Sequence, residues 1–155
     1  MPLFESVLIA NRGAIACRII RTLRALGIRS VAVYSDADRH SRHVRDADVA
    51  VAIGPPPAAQ SYLDQRRILA AALDSGAQAI HPGYGFLSEN AAFAEACESA
   101  GIAFVGPTPG QMRDFGLKHT ARELAERHAV PLLPGSSLVD DLDQATAAAE
   151  RIGFP

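Results

Sequence analysis

The densest run of residues able to do chemistry in this 155-residue sequence is His81-Pro82-Gly83-Tyr84-Gly85-Phe86-Leu87-Ser88-Glu89-Asn90. Two glycines free the backbone for turns that other residues resist, while a His and a Tyr stand where a strand would end. Ser88 is placed to cap the helix that follows. Loops held on a rigid scaffold carry function more often than cores do. The plain alternative is that Tyr84 and Phe86 cover a sheet edge and His81 is hydrogen-bonded beneath the loop. A second place is Ala10-Asn11-Arg12-Gly13, a tight turn opening a helix whose first amides could hold an anion. It lacks the G-x-G-x-x-G spacing that brings a pyrophosphate against the backbone. A third is Lys118, which follows Gly116-Leu117 at the start of a helix, where the positive end of the helix dipole makes an ammonium unwelcome. An arriving anion such as phosphate would reverse that; an exposed, solvated lysine is the ordinary alternative.

Elsewhere the chemistry-bearing residues read blandly. Asp36 to Asp48 mixes both charge signs without metal-ligand spacing and reads as a solvated face. Cys17 and Cys97 have neither CxxC spacing nor nearby His partners, so they are expected to be buried free thiols in a reducing cytoplasm. No metal site is expected.

The elements that must position these residues follow from periodicity. Short apolar runs at Ser6–Ala10, Ser30–Tyr34, Val49–Ile53, Ala77–His81 and Ile102–Val105 predict five strands. Between them, Ile15, Ile19, Ile20, Leu23 and Leu26 fall at helical spacing up to Gly27. Leu63–Leu73 predicts a second helix ending at Gly76, and Glu89–Ala100 a third, with Phe93, Ala94 and Cys97 on one face. Ser35 through His43 is polar and predicts a solvated loop with at most a helical turn, and Pro55-Pro56-Pro57 a rigid exposed connection. Strands alternating with helices through short turns predict an α/β fold: an open, doubly wound parallel sheet, Rossmann-like, over residues 1–108. Ligands of such sheets sit at the carboxyl ends of the strands, where strand order reverses, which points to the turns after the first and fourth strands.

Past Pro109 the pattern changes. Gln111–Phe115 and Lys118–His128 predict two short helices within a helical linker at 109–135. Asp140–Arg151 predicts a helix capped by Asp140 or Asp141 in a further unit at 136–155. Ile152-Gly153-Phe154-Pro155 reads as a helix stop and the beginning of a strand that does not arrive, so the chain is expected to be a fragment.

Composition narrows the function classes. With 48% hydrophobic and 21% charged residues the chain belongs with globular proteins, and a formal charge of -2 gives no basic field for nucleic acid. The apolar stretch near the N-terminus is short, flanked by Glu5 and stopped by a turn, which is not a secretory signal. No run of eighteen apolar residues predicts a membrane span. A cytoplasmic protein is expected.

The ordered segments IANRGAIACRI (9–19), AVYSDADR (32–39), SYLD (61–64), IHPGYGFLSEN (80–90) and FVGPTP (104–109) together resemble the N-terminal domain of biotin carboxylases. Within that family, GPTPGQMRDFGLKHTARELA (106–125) is similar to the urea carboxylase branch, the carboxylase part of urea amidolyases. In the other branches an Asp usually stands at the position of Leu117 and a Glu at that of Ala14.

The resemblance implies that 136–155 begins an ATP-grasp domain. It also implies a parent enzyme, a ligase, that uses ATP with Mg2+ to activate bicarbonate and carboxylate biotin, with urea as final acceptor. Lys118 matches the family lysine that contacts the ATP phosphates, and Tyr84 and Gly85 match positions lining the biotin side. Arg18, Arg21 and Phe86 match contacts of a homodimer, although the family's interface Glu is Ala25 here.

The remaining machinery would lie downstream, so no catalytic residue is expected within the fragment, which by itself should be inactive and hold no cofactor. Downstream ATP-grasp and carboxyltransferase domains are the expected partners. Other readings are the same domain of an acetyl-CoA, propionyl-CoA or pyruvate carboxylase, a non-catalytic nucleotide-binding module, or an interaction domain docking a partner.

Overall fold

The computed structural model describes residues 4–153. The chain divides into two compact units, Met1–Pro109 and Gly110–Pro155.

The first unit is a five-stranded sheet of β1 (Ser6–Ile9), β2 (Arg29–Ser35), β3 (Val49–Gly54), β4 (Ala79–His81) and β5 (Ala103–Phe104). Every pairing is parallel and the order is β3-β2-β1-β4-β5. The chain winds outward from β1 through β2 to β3, then returns to lay β4 on the other side of β1. The order therefore reverses between β1 and β4, the place where open α/β sheets bind ligands.

The central strands are apolar on both faces because both are covered. Val7, Ile9 and Ala79 meet Ala16, Ile19, Ile20 and Leu23 of α1 (Gly13–Ala25). On the opposite face Leu8, Val31 and Ile80 meet Ile68 and Ala72 of α3 (Gln65–Ser75) and Phe93 and Cys97 of α4 (Ala91–Ser99). A fully buried Leu, Ile or Phe of this kind contributes roughly 1.5–3 kcal/mol relative to exposure. A short α2 (Arg42–Asp46) packs beside α1.

The second unit holds α5 (Pro109–Gly116), α6 (Lys118–Arg127) and α7 (Leu142–Ile152), the last capped by Asp141, whose carboxylate accepts the Gln144 amide at 2.8 Å. The residues after Gly153, where a strand was expected to begin, and the first three of the chain lie outside the described residues.

Several sequence expectations need correction. The helix expected from Leu63 starts at Gln65, because Asp64 caps it by accepting the Arg66 and Arg67 amides; Leu63 lies outside and is exposed. Asn90, not Ser88, caps α4, accepting the Phe93 amide at 2.9 Å. Leu26, assigned to the apolar stripe of α1, is 58% exposed. Cys17 is only partly buried, whereas Cys97 is fully buried, and burial pushes its thiol up to about 11.

The segment 36–48 is not a uniformly solvated face. His43 is completely buried, its Nε2 lying 3.3 Å from the Val33 carbonyl and its Nδ1 without a partner. Asp48 ties the start of β2, accepting from the Ser30 amide and hydroxyl at 2.8 and 2.7 Å. Alternating charge concealed both roles, since neither has a sequence period.

Candidate functional site

The loop after β4 and the turn after β1 are brought side by side by the pairing of those strands, extended by the Ala10 amide donating to the His81 carbonyl at 2.9 Å. Asn11, 1% exposed, closes the junction. Its Nδ2 donates to the Pro82 carbonyl at 2.7 Å and to the Tyr84 carbonyl at 2.9 Å, while its Oδ1 accepts the Arg12 amide at 2.9 Å. Gly83 passes so close that a Cβ there would lie 2.8 Å from both Asn11 Nδ2 and Ile15 Cγ2, and its φ of +66° is left-handed. Only glycine fits. The Gly83 amide donates in turn to His81 Nδ1 at 3.0 Å. Burial first, and then the neighbouring Arg18 charge, hold His81 below the ordinary histidine range, which keeps Nδ1 free to accept.

The other end of the loop carries Phe86 at φ +45°, a left-handed conformation costing a non-glycine residue roughly 1–2 kcal/mol. What holds it there is a ring stack: Phe86 lies 5.1 Å from Tyr62 at an interplanar angle of 16°, and the Arg12 guanidinium covers both rings at 5.6 and 5.9 Å. Tyr62, 1% exposed, donates its hydroxyl to Asp38 at 2.7 Å and accepts the Ser35 amide at 3.1 Å. Burial pushes that phenol up to about 12, so it remains a donor. Burial also raises the Asp38 carboxyl, but bonds from Tyr62 and Ser35, the Arg12 charge 3.4 Å away and Ser41 outweigh it and leave Asp38 below its ordinary value.

Between these anchors Tyr84 stands 72% exposed beside Gly85, itself at φ +72°. Tyr84, Arg18, Arg21, His81 and Gly83 share a cavity of about 490 Å³. Arg18 and Arg21 are exposed on α1 and have no ion-pair or hydrogen-bond partner for their side chains among the described residues. The structure thus brings Arg18, Arg21, Tyr84 and Gly85 to one region. Phe86 adjoins them but turns its ring into the Tyr62 stack. Arg12 likewise spends its guanidinium on the two rings and Asp38, so its side chain serves the loop.

Lys118 belongs to the second unit. It is exposed at the first position of α6, with Leu117 as a cap that offers no side-chain acceptor, and it has no partner among the described residues. Thr120 pins the turn by donating to the Leu117 carbonyl at 2.8 Å. An unpaired ammonium beside free first-turn amides is a donor set suited to phosphate. Among the described residues no group of three His, Cys, Asp or Glu side chains could hold a metal ion, and no helix is long and apolar enough to cross a membrane.

Sequence reasoning missed Tyr62 and Asp38, and read Asn11 only as part of a turn. Asn11 had the signal of a strand end beside the reversal of strand order; Tyr62 and Asp38 had only their place within the segments SYLD and AVYSDADR.

The chain matches the model of the biotin carboxylase N-terminal domain over residues 3–112. It is 58% identical over 153 residues to the urea amidolyase of Saccharomyces cerevisiae, covering 99% of this chain and 8% of that protein. It is 55% identical over 152 residues to the mitochondrial methylcrotonoyl-CoA carboxylase subunit alpha of Glycine max, covering 97% and 21%. Its fold superposes, with a TM-score of 0.94 and 46% identity, on the biotin carboxylase domain of Hydrogenobacter thermophilus 2-oxoglutarate carboxylase, a dimer in complex with MgADP, ADP and bicarbonate. That match covers 100% of this chain and 34% of the other.

Proposed function

The chain belongs to the biotin carboxylase family, through its N-terminal domain, and from that premise we propose that it forms the first part of an ATP-dependent urea carboxylase. In this reading a longer polypeptide uses ATP and bicarbonate to carboxylate biotin, and urea is the final acceptor. The observation that carries the urea branch is the 58% identity to a urea amidolyase across nearly the whole chain, together with Gly116-Leu117-Lys118-His119 at the start of α6. The 55% identity to a methylcrotonoyl-CoA carboxylase subunit keeps an acyl-CoA acceptor as the second reading.

Each residue has a role in the proposal. Lys118 holds nucleotide phosphates: its ammonium and the first amides of α6 are cationic or donor groups with no internal acceptor. ATP with Mg2+, when bound, supplies the phosphoryl group that activates bicarbonate, and charge neutralisation is the chief demand of that transfer. Tyr84 and Gly85 line the biotin side, where an exposed ring and an open backbone suit a flat ureido ring. Arg18 and Arg21, unpaired on α1, meet a second copy of the chain; Phe86 offers that contact only what its stack on Tyr62 leaves open. The two free thiols fit a reducing cytoplasm.

The test is bicarbonate-dependent ATP cleavage by the full-length protein, with urea, acetyl-CoA, propionyl-CoA and pyruvate supplied in turn. Stimulation by urea alone is expected. Stimulation by a thioester or pyruvate moves the protein to another branch, and ATP cleavage indifferent to bicarbonate sinks the carboxylase reading.

A further inference from the structure

We propose that Asn11 is a positioning residue for the Tyr84-Gly85 loop, with Tyr62 as its counterpart at the far end; the inference rests on the biotin-side reading of that loop. Asn11 sits on β1's turn, more than seventy positions away in sequence from the carbonyls it binds. One carboxamide bonds the residues on both sides of Gly83, which fixes Gly83 in its left-handed turn and leaves no room for a side chain there. Its oxygen is occupied by the Arg12 amide, so both hydrogens must face the loop and the amide has one orientation.

At the other end the left-handed Phe86 stays in place because its ring is stacked on Tyr62, and Tyr62 cannot turn because its hydroxyl is bonded to Asp38 and to the Ser35 amide. Tyr84 and Gly85 lie between the two anchors and have no side-chain anchor of their own, Tyr84 being 72% exposed. An exposed ring on a loop pinned at both ends keeps one placement without the entropy loss of ordering a free loop at binding. This also accounts for the Asn-Arg-Gly turn: Asn11 holds the loop's first half, and Arg12 covers the ring pair that holds its second.

The experiment uses the full-length protein and three variants. Asn11→Asp is isosteric and replaces two donors by acceptors aimed at two carbonyls. Tyr62→Phe keeps the ring stack and removes only the hydroxyl, so it remains informative if Asn11→Asp does not fold. Tyr84→Ala tests the loop's role directly.

Amide hydrogen exchange of residues 83–86 and KM values for free biotin and for ATP are measured for each. Expected for Asn11→Asp are exchange about tenfold faster in the loop and a biotin KM raised about tenfold, with the ATP KM within about twofold of the parent. Tyr62→Phe shifts the same quantities in the same direction by less.

Unchanged loop exchange and biotin KM in both Asn11→Asp and Tyr62→Phe, while Tyr84→Ala raises the biotin KM, overturns the clamp alone. Biotin and ATP KM rising together with a lowered melting temperature makes Asn11 merely a fold residue and also overturns it. An unaltered biotin KM in Tyr84→Ala removes the biotin-side reading itself.

Discussion

An ammonium at the first position of a helix repels the dipole it caps, and it earns that place only when an anion arrives. Lys118→Ala therefore has two effects of opposite sign. In the full-length protein, loss of a charged phosphate contact is expected to raise the ATP KM or slow ATP cleavage by about ten- to a hundredfold, the equivalent of roughly 1.5–3 kcal/mol. In the absence of nucleotide the same change relieves α6 and leaves the denaturation midpoint unchanged or slightly higher. A variant that loses stability and ATP affinity together would show Lys118 to be part of the fold instead. The placement of Lys118 at a helix start was legible from sequence, because a cation set against a helix start is a local oddity. Tyr62 was not, because a Tyr between Ser61 and Leu63 carries no mark of its burial or of the Asp38 carboxylate 24 positions away that accepts its hydroxyl.

Helices were legible where apolar spacing ran long, and their ends were not. α3 begins two residues later than its apolar pattern because Asp64, rather than an apolar residue, satisfies its first free amides. α4 is set in the same way by Asn90. Asp64→Ala and Asn90→Ala are each expected to cost about 1 kcal/mol, read as a lowered urea midpoint with unchanged slope. Ser88→Ala, by contrast, removes no cap and should leave α4 as it was. α1 starts at Gly13, and Arg12 at its cap position supplies no side-chain cap, so its stability comes from Ala16, Ile19, Ile20 and Leu23 buried against the sheet. Phe93→Ala, which empties a fully buried site between α4 and the sheet, is expected to cost about 3–5 kcal/mol, the largest loss among these substitutions.

For the whole molecule, ionisable groups shifted by burial or by hydrogen bonds set the pH range of stability. His43 and His81 are held below the ordinary 6.5, in both cases first by burial, so the unfolded chain binds protons that the folded one refuses. Stability is then full above 6.5 and falls as pH drops below it. Asp38 and Asp48 are held below 3.8, and their contribution disappears as pH falls beneath that value. Urea denaturation at pH 7.5 and 5.5 should show a lower midpoint at 5.5. His43→Gln should lose less between the two, and an identical loss would exclude His43 as a source of the acid limb. The sequence by itself determined the class and order of the elements, because apolar periodicity and glycine-marked turns are short-range signals. It also picked out Tyr84, Gly85 and Lys118 as the residues to watch. Only the tertiary structure decided that Asn11 meets Pro82 and Tyr84, that the ring of Phe86 stacks on Tyr62, and that His43 is buried within a charged run. These depend on which distant strand ends become neighbours, and strand order leaves no period in the chain.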